Sequence, residues 1–283
     1  MFPKSLNCIS SNKKKIKFLI KNIMKDELGD RIKNSYENRT RYYLPRRTYT
    51  LARIDGKAFH SYTKGLKRPF DMDLIEDMDN TAAYLCKNIQ GAKFAFVQSD
   101  EISILLTDFE AIGTDAWFDG NVQKMASVSA SMATAKFNQL RMIRILSYNT
   151  GFDFNKIKLA EFDSRVFTIA SKEEVMNYFV FRQQDTVRNS ISSVAQSLYS
   201  HKELNGKNNS EQQEMIFQKG TNWNDLFPKL KRGRFITKVM TEKEADPNIP
   251  NSVTTIRSAW VSIECPTFTK EREFLIEKIP NLL

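Results

Sequence analysis

The sequence predicts an α+β fold in which four strands form one antiparallel sheet in β-α-β-β-α-β order, with helices on one face and a mostly helical C-terminal extension. Three observations carry this. Apolar, β-branched and aromatic runs of strand length occur at 48–54, 93–98, 102–107 and 158–169. Stretches with helical periodicity separate the first run from the second and the third from the fourth. Only Ser99-Asp100-Glu101 lies between the second and third runs, which makes them a hairpin.

Taken in order, 26–44 reads as a helix with an acidic first turn and with Leu28, Ile32 and Tyr36 at helical spacing, stopped by Pro45. Thr48–Ile54 is the first strand. Asp71–Asn88 is helical, with Leu74, Ile75, Met78, Ala82 and Leu85 on one face, and Gly91 ends it. The hairpin follows as KFAFVQ and ISILLT. Trp117–Leu140 is rich in Ala, Ser and Met, which suits a closely packed helix, and Lys158–Ile169 is the fourth strand. Beyond Lys172 the clearer pieces are helical, at Glu173–Tyr178 and Thr186–Tyr199. Loops are expected at 206–210 and 244–251, and a late strand pair or extended arm at 252–264. Three parts result: a basic extension or targeting segment at 1–24, a catalytic domain at 25–170, and a helical continuation with the C-terminal region at 171–283. The strand order is that of the split βαβ, ferredoxin-type sheet. Polymerase palms and nucleotide cyclases use it, and so do non-enzymatic domains, so topology alone does not assign a function.

Composition narrows the chemistry. The chain has 283 residues, 41% of them hydrophobic and 27% charged, and no apolar run approaches the ~20 residues of a membrane-spanning helix. A soluble protein without a membrane partner is expected. The net charge of +10 suits a polyanionic partner. Seven lysines and no acid fall within 1–25, which leaves +3 (10 − 7) for the rest. That acid-free N-terminus implies mitochondrial targeting, although it lacks the usual arginines; a plain basic arm with a cytoplasmic address is the alternative. Three scattered cysteines suggest neither disulfides nor a Cys-based zinc site, and only His60 and His201 are present. A catalytic metal would therefore be held by carboxylates, which favours magnesium.

The acidic groups fall where such an ion needs them. Asp55 ends the first strand and Asp100-Glu101 occupies the hairpin tip. In the expected sheet the first and third strands are antiparallel neighbours, so Asp55 and Asp100 meet at one edge. Two carboxylates there repel unless a cation lies between them. Two Mg²⁺ ions so placed activate an attacking oxygen and stabilise a leaving one. Gly56 lets the backbone come close, which makes its carbonyl a candidate additional ligand. The amides of the 56–60 loop (Gly56, Lys57, Ala58, Phe59, His60) can cradle a triphosphate together with the Lys57 and His60 side chains. Taken singly, the same residues also fit a solvated turn.

RIDGKAFH (53–60) and VQSDEIS (97–103) resemble the two signature blocks of the tRNA-histidine guanylyltransferase superfamily, and FDSRV (162–166) and FRQQD (181–185) resemble two further blocks in the same order. The resemblance runs from about Lys25 to Arg234. It implies a polymerase-palm-like sheet, a tetramer, and addition of nucleotides to the 5′ end of tRNA in the 3′-to-5′ direction. ATP would activate the 5′-phosphate and other nucleoside triphosphates would be added. Carried over, Asp55 and Asp100 hold two Mg²⁺ ions with the Gly56 carbonyl, Glu101 is a supporting acid, and His60 and Ser99 line the nucleotide site. Asp163, Arg165, Arg182, Asp185 and Asn189 fall in the structural and tRNA-facing blocks; an Arg182–Asp185 pair that fixes a helix is an equal reading. Members with dedicated guanylation of tRNA-histidine carry His-x-Asn-Asn after the RQxD block. Here Val187 stands at the His and only Asn189 remains, which implies the guanylyltransferase-like branch and templated 5′ repair, with addition of a single G as the alternative. Arg188, the 229–234 run with Lys231, Arg232 and Arg234, and the clusters Lys64, Lys67, Arg68 and Arg39, Arg41, Arg46, Arg47 are candidate tRNA-phosphate contacts, or else solvated faces. The rival readings are a nucleotide cyclase and a non-catalytic RNA-binding module.

Overall fold

The computed structural model describes residues 27–148, 157–244 and 254–282. The expected 1–24 segment and most of the 244–251 loop lie outside them. The chain divides into two compact units, one ending at Tyr43 and one spanning Leu44–Leu283. In the first, α1 covers residues 27–35 and a 3₁₀ turn covers Glu37–Thr40. The helix is shorter than predicted. Asn34 and Asn38 bond to each other at 3.1 Å in a stretch of poor helix formers.

The second unit contains β1 (Tyr49–Gly56), α2 (Phe59–Tyr62), α3 (Met72–Asn88), β2 (Ala92–Gln98), β3 (Glu101–Leu106), α4 (Val122–Tyr148), β4 (Phe162–Ile169), α5 (Lys172–Leu198), α6 (His201–Leu204), α7 (Asn209–Gln218), α8 (Pro228–Lys231), β5 (Arg234–Glu244), β6 (Thr254–Glu264) and α9 (Arg272–Lys278). All strand neighbours are antiparallel, in the order β4-β1-β3-β2-β5-β6. The first four strands have the predicted order, with β1 beside β3.

One expectation is corrected and another extended. Helices cover both faces, not one. On one face Ala52, Ile54, Ala95, Val97, Ile102 and Ile104 meet Met78, Ala82 and Leu85 of α3 and Ala133 and Phe137 of α4. On the other, Tyr49, Leu51, Phe94, Phe96 and Leu105 meet Val175, Phe179 and Val180 of α5 and Leu275 of α9. The period-2 alternation of strand side chains sorts these two sets, and the wholly buried β3 follows from being covered twice. The C-terminal part, helical in α5, α6, α7, α8 and α9, also carries two strands: β5 and β6 extend the sheet beyond β2, and β6 falls within the strand pair or extended arm expected at 252–264.

Local chemistry fixes the ends of the elements. Asp71 caps α3 by accepting from Leu74 N–H at 2.9 Å, and Ser171 caps α5 by accepting from Glu174 N–H at 3.2 Å. Helix α5 is one continuous element where the sequence suggested two. Its buried stripe runs through Arg182, Gln183, Thr186 and Ser190, polar residues that interrupt the apolar period. The small residues of α4 let it approach β4, with Ser129 Oγ 2.8 Å from Ser164 Oγ.

Candidate active site

The end of the central strands carries a row of acids. Asp55 on β1 is in register with Glu101 on β3 and with Asp163 on β4. The Gly56 N–H donates to the Asp100 carbonyl at 3.2 Å, which ties the end of β1 to the hairpin tip. Burial raises the Asp100 carboxyl above the ordinary range, and the charges of Asp55 and Glu101 add to the rise, while a hydrogen bond from Ser99 opposes it. Asp55 and Asp100 thus converge as the sequence predicts, and their mutual repulsion is what a bound cation relieves. Among the described residues no group of three or more His, Cys, Asp or Glu is set up to hold a metal. Two carboxylates and a carbonyl suit Mg²⁺ that completes its shell with phosphate oxygens and water. Asp55, Asp100 and the Gly56 carbonyl are the donors that would hold it.

Glu101 has different surroundings. It is 6% exposed and is gripped by Arg182, with Nε to Oε1 at 2.8 Å and Nη2 to Oε2 at 2.6 Å. Gln98 Nε2 and Ser103 Oγ also donate to Oε1, at 3.0 and 3.3 Å, and Ser103 Oγ lies 2.8 Å from Tyr178 Oη. Arg53 links the two acids. Its Nη2 meets Asp55 Oδ2 at 2.5 Å and its Nε lies 2.9 Å from Glu101 Oε2, close enough for an ion pair but without hydrogen-bond alignment. Arg53 therefore compensates Asp55 from the α5 side of the sheet. In the sequence Arg53 stands only as part of the 53–60 motif, and nothing local marks Gln98, Thr186 or Tyr178 as members of this network. The signal for Arg53 was its i, i+2 spacing from Asp55, which puts both on one face.

The 56–60 loop divides between two clefts. Phe59, His60, Ser99 and Asp100 line one of about 510 Å³ with Lys67, Arg68, Phe70, Leu74, Asn189, Lys229 and Arg234. Lys57 instead lines one of about 490 Å³ with Ser131, Thr134, Glu161 and Asp163. Its backbone N–H donates to the Glu161 carbonyl at 2.8 Å, and its Nζ reaches Glu161 Oε2 at 2.5 Å, which raises its pKa. Lys57 and His60 thus do not share one cradle. Both volumes are in the range of nucleotide-sized sites. Ala58 (φ 50°) and Ser99 (φ 44°) hold left-handed backbone conformations, a strain that persists where the surroundings enforce it. A Cβ on Gly56 would run into the Phe59 ring, so close backbone approach requires glycine there.

The candidate tRNA contacts sort by exposure. Arg182 is 6% exposed and faces Glu101, with Asp185 at 3.3 Å as a secondary partner. It is placed to hold the hairpin rather than RNA. Lys231, also 6% exposed, donates to the Asn224 carbonyl at 2.5 Å and lies over the Trp223 ring. Arg234 is buried against Asp79. Arg232 is half-buried, and its neighbour Gly233 turns the chain into β5. Arg188 and Asn189 are exposed, with Asp185 Oδ1 accepting from Arg188 at 2.7 Å. Arg46 and Arg47 are engaged by Asp108, with the Arg47 N–H donating to it at 2.9 Å.

A family model described as tRNAHis guanylyltransferase (Thg1) matches residues 29–170. The tRNA(His) guanylyltransferase of Debaryomyces hansenii is 25% identical over 216 residues, which is 71% of this chain and 77% of that one. The Saccharomyces cerevisiae protein of the same name is 26% identical over 67% of this chain and 82% of its own length. Among solved structures, a bacterial tRNA(His) guanylyltransferase (Thg1)-like protein in complex with ATP superposes with a TM-score of 0.76 at 42% identity, covering 89% of this chain and 99% of that one. Its complex with GTP gives 0.72 at the same identity.

Proposed function

Since the chain belongs to the tRNAHis guanylyltransferase (Thg1) family, and is a nucleotidyltransferase by that membership, we propose that it adds guanylate to the 5′ end of tRNA by two phosphoryl-transfer steps on a palm-like sheet. The observation that carries this is the convergence of Asp55 and Asp100 beside a nucleotide-sized cleft. A 5′-monophosphate is a poor electrophile. Attack of its oxygen on the α-phosphorus of ATP releases pyrophosphate and leaves an adenylylated 5′ end. The 3′-hydroxyl of GTP then attacks the original 5′ phosphorus and expels AMP.

Asp55, Asp100 and the Gly56 carbonyl would hold Mg²⁺, which when bound stabilises charge on the attacking and leaving oxygens. The fold supplies alignment of the reacting groups. Glu101, fixed by Arg182, positions the hairpin tip rather than acting as an acid. His60, Ser99 and Asn189 face the nucleotide, and Lys57 faces the second cleft. Exposed Lys67, Arg68 and Arg188 offer charge to tRNA phosphates. The homotetramer and the mitochondrial address belong to the same proposal. Light scattering and organelle import of the tagged chain test them.

One observation favours a second reading, templated addition of any nucleotide. Val187 and Ser190 replace the His and the second Asn of the His-x-Asn-Asn element, and half-buried Val187 packs against an apolar cluster. The guanylyltransferase names of the curated relatives favour the first reading. Product mapping separates the two. Full-length tRNA-histidine and a tRNA lacking its first nucleotide are each incubated with ATP and the four nucleoside triphosphates. A single G on tRNA-histidine supports guanylation. Extension that follows the opposing strand of any truncated acceptor stem supports templated repair. No addition to either substrate contradicts both.

A further inference from the structure

Arg234 opens β5 opposite Val97 of β2, on the α3 face of the sheet. Its Nε donates to Asp79 Oδ1 at 2.7 Å, and Ser262 Oγ donates to the other oxygen of Asp79 at 2.8 Å. The residue is 4% exposed and lines the larger cleft. Its Nη2 is buried and has no hydrogen-bond partner among the described residues. Buried guanidinium nitrogens are normally paired, so an unpaired one beside a cleft points to a ligand atom as its acceptor.

Two features decide which part of a nucleotide that is. Asp79 already balances the charge of Arg234, so the free N–H is a directional donor suited to a neutral acceptor. Lys67 and Arg68, exposed at the same cleft, are better suited to phosphate. The cleft also has an apolar wall of Phe59, Leu66, Phe70, Leu74 and Ile75, and Ile75 is one helical turn from Asp79 on α3. Apolar walls with a few convergent polar groups are the usual surroundings of a bound base.

We propose that Arg234 Nη2 donates to N7 of the purine base of the bound nucleoside triphosphate. This rests on the proposed function, in which ATP and GTP are both used. N7 is an acceptor in adenine and guanine alike, so one donor serves both and a pyrimidine offers it nothing equivalent. Arg234 is then a specificity residue for purines.

The test is equilibrium binding of ATP, GTP and their 7-deaza analogues, in which a C–H replaces N7, to the full-length wild-type protein and to Arg234→Lys. Lysine keeps a positive charge opposite Asp79 but has no Nη2. Wild type is expected to bind each analogue about 10-fold more weakly than its parent, the loss of one hydrogen bond. In Arg234→Lys, parent and analogue should bind equally. Analogues that bind wild type as tightly as their parents overturn the proposal, whether or not the variant folds. Equal weakening of parents and analogues in Arg234→Lys, with the parent–analogue gap kept, assigns the residue to phosphate instead and also overturns it. Absence of any nucleotide binding by wild type contradicts the proposed function itself, whereas tight binding that ignores N7 contradicts only this inference.

Discussion

Asp100 and Glu101 are adjacent in sequence and opposite in energetics. Asp100 has a carboxyl raised above its ordinary pKa, first by burial and then by its acidic neighbours. The folded state therefore binds that proton more tightly than the unfolded chain. The resulting stability is present on the acid side and lost as pH rises through the raised value. At neutral pH without a divalent cation, ionised Asp100 costs stability and Asp100→Asn relieves it. Metal-free melting at pH 7 should rise by about 2 °C in the variant while nucleotide addition is lost; a fall in melting temperature would contradict the repulsion argument. Glu101 is already compensated by the Arg182 fork. Removing Arg182, as in Arg182→Ala, takes away the aligned cation and leaves buried Glu101 with the misaligned Arg53 contact and the neutral donors Gln98 and Ser103, which should cost about 3 kcal/mol in urea unfolding. Arg182→Lys keeps the charge without the two-pronged geometry. If Arg182 positions the hairpin, this variant lowers kcat with KM for GTP nearly unchanged; a rise in KM alone would instead mark it as a substrate contact.

At the scale of elements, β5 depends on the turn that introduces it. Gly233 has φ +81°, and a Cβ there would lie 2.6 Å from Phe96 Cζ and 2.8 Å from the Val97 carbonyl. Gly233→Ala should destabilise by about 1–3 kcal/mol from backbone conformation alone and loosen β5 from β2. Faster amide exchange at 234–237 with β1 and β3 unchanged would show this, and unaltered exchange would refute it. This strand was not legible in the sequence. Beyond Phe235 and Ile236 its residues are largely polar or charged, and it lies between the basic 229–234 run and the expected 244–251 loop with no apolar run to mark it. Of the first four strands, β2 and β3 were legible as apolar runs in which nearly every residue is buried, and β1 and β4 by their β-branched and aromatic residues. The second covered face was less so. Phe94 and Phe96 alternate with Ala95 and Val97, and such a run does not say whether one face or both are packed.

Across the whole molecule, charge is spread so that exposed and buried cations do different work. Binding of tRNA should weaken steeply between 50 and 200 mM salt (about 10-fold or more for several phosphate contacts). Arg188→Ala should reduce the slope of log K against log salt by about 1. Lys231→Ala should leave the slope unchanged and lower thermal stability, since that ammonium is held inside by Asn224 and Trp223. The Asp55–Asp100 pair was readable because strand topology alone brings two acidic strand ends together. The network behind it was not. Thr186 donates to Gln98 and Arg182 to Glu101, contacts between residues more than 80 positions apart, and no local pattern encodes which polar residues of a helix face a given strand.

If Asp55 and Asp100 act together in nucleotidyl transfer, loss of either carboxylate should abolish it. The measurement is the single-turnover rate of 5′ nucleotide addition to tRNA across a Mg²⁺ titration for wild type, Asp55→Ala and Asp100→Ala, each shown to be folded. The expected result is a Mg²⁺-dependent rate in wild type that falls at least about 10³-fold in both variants and is not restored at high Mg²⁺. A rate in either variant that approaches wild type at saturating Mg²⁺ would contradict it, and would move the chemistry away from the end of β1 and the β2–β3 hairpin tip.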